Sequence, residues 1–351
     1  MSKNAKRWHL STKCLKRECG TLLILNLSTE NDQRYDQFEC INDDMAFCSV
    51  RGLDHCPQIV DNDRTMITSN WFASGTFILD GGWGTQLQLR GLGTGEHPDL
   101  WNLAHPEKVQ EVAEAYIQAG SDIILTNTFG SNRFLLARHG AETKVAELNR
   151  AGVRLSKEAA QKQSRRVFAS IGPTGIMLMS GTVSTDELYA AFLEQAEAIA
   201  AEVPDGIVIE TMSDPAEAIL AVKAAKTTGL PVAASMVFDT GKNKDRTMMG
   251  TTPEQAVEQL TAAGADIVGS NCGQGIDGFI PICRRMRAVT ALPIWMKANA
   301  GLPKIVDGKT VYLQTPEKFA ESAKELLAAG ANFIGGCCGT TPEYIRALSA
   351  R

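Results

Sequence analysis

Three cysteines carry the sharpest chemical signal in this sequence. Cys272 lies in GSNCGQG (269–275), and Cys337 and Cys338 lie side by side in GGCCGTTP (335–342). Adjacent cysteines disfavour pairing with each other, and thiols flanked by glycines can be approached closely by backbone and ligand alike. Zinc takes three protein ligands and leaves a fourth tetrahedral position open in catalytic sites, so this trio fits a metal centre. A thiol entering that position is deprotonated at neutral pH. Three thiolate ligands leave the complex electron-rich, which preserves the nucleophilicity of the bound sulfur. Any one of these cysteines, taken alone, is as well explained as a small buried hydrophobe, and that is the reading for Cys283. Hydrolysis is the weaker alternative, because none of His9, His55, His97, His105 or His139 falls on a predicted strand end to activate water.

Two acidic residues stand at comparable positions. The run TFILDGG (76–82) ends in Asp80-Gly81-Gly82, and GIVIET (206–211) ends in Glu210-Thr211. Two carboxylates can clasp an ammonium group or serve as an acid/base pair; Asp80 can equally cap its own turn. The glycines Gly81, Gly82, Gly273 and Gly275 admit close backbone approach, where free N–H groups bind a carboxylate. Thr126 and Asn271 occupy strand ends as well, and Trp83 and Phe129 are either pocket walls or core.

Eight short apolar, β-branched runs carry these residues. After 76–82 and before or after 206–211 come DIILTNTF (122–129), VFASIGP (167–173), PVAASMVF (231–238), DIVGSNC (266–272), PIWMKANAG (293–301) and FIGGCCG (333–339). Helical spacing fills 106–119, 141–163, 184–202, 214–228, 253–263, 276–289 and 315–329. Near-continuous apolar strands alternating with amphipathic helices predict a parallel sheet buried on both faces. The phrases QAGSDIIL, AAGADIVG and AAGANFIG place a left-handed glycine cap at helix ends. Ser, Thr or Asp before Pro or Glu marks helix starts. Eight such units over about 275 residues match a (β/α)8 barrel, whose active site is built at the C-terminal ends of the strands. A doubly wound sheet is the alternative, but DGGWGTQ is not a dinucleotide turn.

The rest of the chain bounds the answer. A net charge of −5 leaves no electrostatic footprint for nucleic acid. No apolar run approaches membrane-spanning length and no signal-peptide pattern opens the chain, so the expected location is the cytoplasm. Residues 1–65 show no sustained periodicity, and their cysteines (Cys14, Cys19, Cys40, Cys48, Cys56) lack zinc-finger spacing. They read as a disordered or non-native extension, with Met66 as a plausible true start and 66–351 as the barrel.

Taken together, ILDGGWGTQLQ, LTNTFGSN, IVIET, VGSNCGQG and IGGCCGTTPEYI resemble the homocysteine S-methyltransferase family across 76–348. That family includes the homocysteine-binding module of cobalamin-dependent methionine synthase, the betaine enzymes and those using S-methylmethionine. The resemblance implies a (β/α)8 barrel, zinc on Cys272, Cys337 and Cys338, and the amino-acid end of homocysteine on Asp80, Gly81 and Glu210. Thr126 and Asn271 would lie near the substrate. MKANAGLP (296–303) looks more like the methionine-synthase module, and Gly130 stands where betaine enzymes have tyrosine. The sequence contains no second barrel for folate and no cobalamin-binding domain. Methylcobalamin, the first candidate donor, would therefore arrive on a separate corrinoid protein. Betaine or a sulfonium (S-methylmethionine or S-adenosylmethionine) is the alternative donor. A non-enzymatic zinc or thiol sensor is the alternative of another class.

Overall fold

The computed structural model describes three strands in the N-terminal region (9–16, 21–29 and 32–38), residues 71–72, and residues 75–350 apart from 307–308. The chain divides into two units, Met1–Arg64 and Thr65–Arg351. In the first, His9–Lys16, Thr21–Thr29 and Asp32–Phe38 form an antiparallel sheet in sequence order. The strand at 21–29 was not legible as one, because Leu22, Leu23, Ile24 and Leu25 are consecutive and mask any alternation. Cys19, Cys40, Cys48, Cys56 and Met66 lie outside the described residues.

The second unit is a (β/α)8 barrel. Its strands are β1 (Phe77–Ile78), β2 (Ile123–Ile124), β3 (Arg166–Ile171), β4 (Gly206–Met212), β5 (Val232–Met236), β6 (Ile267–Gly275), β7 (Ile294–Asn299) and β8 (Phe333–Gly336). All pair in parallel with their neighbours around the ring from β2 to β8 and on to β1. A parallel bridge between Leu79 and Ile123 closes β1 onto β2. Each strand is followed by a main helix: α1 (Pro106–Ala119), α2 (Val145–Gln161), α3 (Thr185–Ala200), α4 (Pro215–Lys226), α5 (Pro253–Ala263), α6 (Ile276–Arg287), α7 (Pro316–Ala328) and α8 (Pro342–Ser349).

The predicted punctuation is where the helices begin and end. Gly120, Gly264 and Gly330 take φ of 107°, 104° and 106° just after α1, α5 and α7, a conformation that costs other residues about 1 kcal/mol or more. Ser184 and Thr252 form capping boxes with Glu187 and Gln255, which satisfy N–H groups that would otherwise be unpaired at the helix start.

Inside the barrel, one level is filled by Leu79, Ile123, Phe168, Val208, Ala233, Ile267, Trp295 and Phe333, one residue from each strand or its end, all buried. Below them Trp71 packs edge-on against Phe72, Phe77 and Phe168. Alternate residues on a strand share a face. Two positions further along, the inward residues become Ser170, Glu210, Ser235 and Lys297, and after Ile267 and Phe333 a glycine precedes Asn271 and Cys337. The fold thereby places an apolar plug under a polar, ionisable mouth.

Candidate active site and metal centre

The sulfurs of Cys272, Cys337 and Cys338 lie within 4.8 Å of one another, and those of Cys272 and Cys338 are 3.8 Å apart. Four ligands about 2.3 Å from a tetrahedral zinc stand roughly 3.8 Å from each other, so the thiol set matches the size of such an ion. Cys272 lies within β6 with φ of 62°, in the left-handed region that costs a non-glycine residue of order 1–3 kcal/mol. Cys337 and Cys338 follow β8 and are pinned by their backbones. Cys337 N donates to Ala298 O at 2.7 Å and Cys338 N to Asn299 Oδ1 at 3.1 Å. Thr340 fastens the same turn to the segment after β1: its hydroxyl donates to Cys337 O (2.7 Å) and accepts from Gly82 N (3.0 Å).

The three sulfurs titrate as a set. Cys272 is held down to about 3, chiefly because the Cys337 thiol and then the Cys338 thiol donate to its thiolate. The same contact with Cys272 pushes Cys337 well above the usual range and Cys338 up to about 11. A cation entering the cluster would displace the protons that the thiols hold. Tyr312, whose ring lies against Gly339, is raised to about 12 by burial and by the facing cysteines. Cys283 in α6 is buried against the carbonyls of Ala329 and Leu326, and burial pushes it up to about 12. It is an inert core thiol.

The cysteines lie in the wall of a cavity of about 550 Å³ that is also lined by Gly81, Gly82, Trp83, Thr126, Glu210 and Lys297. Glu210, 7% exposed, accepts from Ser170 Oγ at 2.5 Å and from Asn271 Nδ2 at 3.4 Å. Burial raises its carboxyl above the ordinary range, and the nearby Lys297 ammonium pulls it part of the way back. Asp80 is fully buried, and both its oxygens are engaged. Oδ1 accepts from Lys297 Nζ at 2.5 Å, and Oδ2 from Trp83 Nε1 at 2.6 Å and Leu125 N at 2.7 Å. Of the two carboxylates it is Glu210 that lines the cavity, while Asp80 holds Lys297 and the indole of Trp83. Burial works against the charge on Lys297, but Asp80 and then Glu210 outweigh it and hold the ammonium above its usual range.

The other expected site residues divide into wall and support. Gly81, Gly82, Thr126, Trp83 and Phe129 line the cavity. The Thr126 hydroxyl is paired with Thr128 Oγ1 (2.6 Å) and accepts from Ser170 N. Asn271, expected among the substrate contacts, lies behind the wall instead. Its Oδ1 accepts from Thr211 N (2.7 Å) and Ser235 Oγ (2.6 Å), and its Nδ2 donates to Thr211 Oγ1 (2.7 Å). This grip secures Thr211 at φ of 62°, an unusual conformation for a β-branched residue. Asn271 Nδ2 also lies 3.8 Å from Cys337 Sγ, so one amide joins the acidic and thiol parts of the site. Gly273 and Gly275 are not in this wall, and Gly275 lines a neighbouring depression.

Sequence reasoning missed Lys297, although a lysine within a buried parallel strand was a readable signal. It also missed His97 and His139, which stack at 5.0 Å on the outer wall of the cavity. They come from loops, where no periodicity marks them. His97 donates through Nε2 to Gly130 O at 3.2 Å, and Asp99 accepts from Gly130 N and Ser131 Oγ, so this group buttresses the loop after β2.

A parallel barrel brings three thiols and a buried carboxylate together at its C-terminal mouth, and the thiol trio is of a size that could hold a metal ion. The family model for homocysteine S-methyltransferase matches residues 77–351, and the chain belongs to that family and is a methyltransferase. Methionine synthase of Mycobacterium leprae (strain TN) is 27% identical over 296 residues, which cover 79% of this chain and 24% of that protein. The chain thus spans about a quarter of the length of that relative. Among solved structures, the homocysteine methyltransferase MmuM of Escherichia coli in its metallated form superposes with a TM-score of 0.65 at 24% identity, covering 79% of this chain and 96% of that one. Its oxidized form gives 0.64 at 23% identity, with the same coverage. At these identities the likeness to solved structures concerns the fold.

Proposed function

We propose that this protein transfers a methyl group to the sulfur of homocysteine to give methionine, with zinc held by Cys272, Cys337 and Cys338. The observation that carries the reading is the thiol trio sharing one cavity wall with Glu210. When bound, zinc would supply Lewis acidity that lowers the pKa of an incoming thiol, making it a nucleophile at neutral pH. The chain's own residues do the rest. Glu210 receives the substrate ammonium, which restores the favourable ionisation that burial opposes. Asp80 orients Trp83 and Lys297, and Asn271 holds Glu210, Thr211 and Cys337 in register. The acceptor sulfur takes the methyl group in line, its S–C bond forming as the bond from carbon to the donor breaks.

The donor proposed is methylcobalamin on a separate corrinoid protein. Its support is the similarity to a methionine synthase together with the methionine-synthase character of MKANAGLP. Residues 66–351 would be the catalytic unit, 1–65 an extension to it, and the cytoplasm its location; among the described residues no helix is long and apolar enough to cross a membrane. The test is zinc content followed by homocysteine-dependent methionine formation with methylcobalamin, betaine, S-methylmethionine and S-adenosylmethionine. One zinc per chain and turnover with methylcobalamin is the expected result. Turnover with betaine or a sulfonium alone would replace the donor and keep the acceptor. Zinc binding with no response of a cobalt-substituted sample to homocysteine would favour a thiol sensor. A folded, reduced protein without metal would sink the reading.

A further inference from the structure

Lys297 is a buried cation of the cavity wall that the acceptor chemistry above gives no substrate contact. It sits on β7, is 2% exposed, and lines the same cavity as the cysteines and Glu210. Its cross-strand neighbours are Gly335 on β8 and Asn271 on β6, and the glycine has no side chain to compete for the space above the plug. An ammonium group carries three N–H donors. Among the described residues, the hydrogen bond that Lys297 makes is to Asp80 Oδ1, at 2.5 Å. Two donors are left over on a buried cation, and leaving such donors unmet costs of order 1–3 kcal/mol or more. The cavity is where a partner for them must come from.

The charges point to what that partner is. Asp80 and Lys297 cancel as a pair, and Glu210 remains as an acid whose ionisation burial opposes. A ligand bringing only an ammonium would answer Glu210 and leave the spare Lys297 donors facing apolar wall or water. A ligand bringing an ammonium and a carboxylate on one carbon would answer both. We propose that Lys297 is the carboxylate anchor of the acceptor site, binding the α-carboxylate of the amino-acid thiol while Glu210 binds its α-ammonium. This rests on the reading of the acceptor as an amino-acid thiol, and makes Lys297 the residue that selects an amino acid over a simple thiol or aminothiol.

The test uses the zinc-loaded full-length chain and calorimetric titration with three thiols: homocysteine, 3-aminopropane-1-thiol, which lacks the carboxylate, and 4-sulfanylbutanoate, which lacks the amine. In Lys297→Met, homocysteine and 4-sulfanylbutanoate should bind roughly 10- to 100-fold more weakly, the loss of a charge-assisted hydrogen bond. Binding of 3-aminopropane-1-thiol should stay within about twofold, as for a site that does not contact the changed group. Lys297→Gln keeps a hydrogen-bond donor for Asp80 without the charge, and should show the same selective loss with unchanged zinc stoichiometry. An equal loss of all three thiols in both variants would overturn the anchor and leave Lys297 as a support for Asp80. Equal affinity of the unaltered protein for homocysteine and 3-aminopropane-1-thiol would also overturn it, with the acceptor reading intact. Failure of the zinc-loaded protein to bind any of the three would remove the acceptor reading, and the anchor with it.

Discussion

The lower and upper halves of the barrel interior are built on the same strands with opposite chemistry. Phe168 and Ser170, Val208 and Glu210, Trp295 and Lys297 are pairs two residues apart on one face, about 7 Å along the strand. In each pair the first residue is apolar and buried in the plug, and the second belongs to the mouth. The plug can be close-packed and indifferent to ligand because its side chains are aliphatic and aromatic. The mouth holds an ion pair, a buried acid and three thiols, which favour the folded state only weakly because desolvation offsets their attraction. Stability and chemistry are therefore separated by height within one barrel. The lesson is that damage at the two levels should read out differently.

The largest effect should come from the mouth. Cys337→Ala or Cys338→Ala is expected to lose bound zinc and all measurable turnover while melting close to the parent metal-free protein; zinc analysis and a methionine assay check this. Activity surviving at full rate without metal would break the comparison at its strongest point. In the plug, Trp295→Ala should cost about 3–5 kcal/mol of stability through the cavity it leaves, with zinc stoichiometry retained in the folded fraction. Chemical denaturation reads the first and metal analysis the second. Loss of metal at full stability would show the levels to be coupled.

The smallest effect sharpens the contrast between a buried acid in the wall of the cysteine cavity and one outside it. Glu217 on α4 accepts from Thr174 N and Thr174 Oγ1, and burial raises its carboxyl. The folded protein therefore binds this proton more tightly than the unfolded chain does. The contribution of Glu217 to stability falls as pH rises from the ordinary carboxylate range through the raised folded pKa. Glu217→Gln keeps an acceptor for Thr174 and removes the ionisation. It should flatten that slope and change stability at neutral pH by about 1 kcal/mol or less, with methyl transfer unchanged. Melting temperature followed across acid to neutral pH is the measurement, and an unchanged slope would show that Glu217 does not titrate there.

Much of this molecule was readable from local pattern. The eight apolar runs, the glycine caps at 120, 264 and 330, and the capping boxes at 184 and 252 depend on residues a few positions apart, so periodicity exposes them. The glycine-flanked cysteines were legible for the same reason, since strand ends of a barrel share one rim. Lys297 shows where that reasoning ran out. It meets Asp80 across 217 residues of sequence, and only closure of β7 around to β1 through β8 decides that these two charges touch. The same closure consumed the Asp80 carboxylate internally, drew Asn271 behind the wall, and stacked His97 on His139 from two separate loops. Local composition determined which elements form and which rim their ends occupy. Tertiary structure alone decided which polar groups satisfy one another and which are left facing the cavity, because a hydrogen bond depends on position in space and not on distance along the chain.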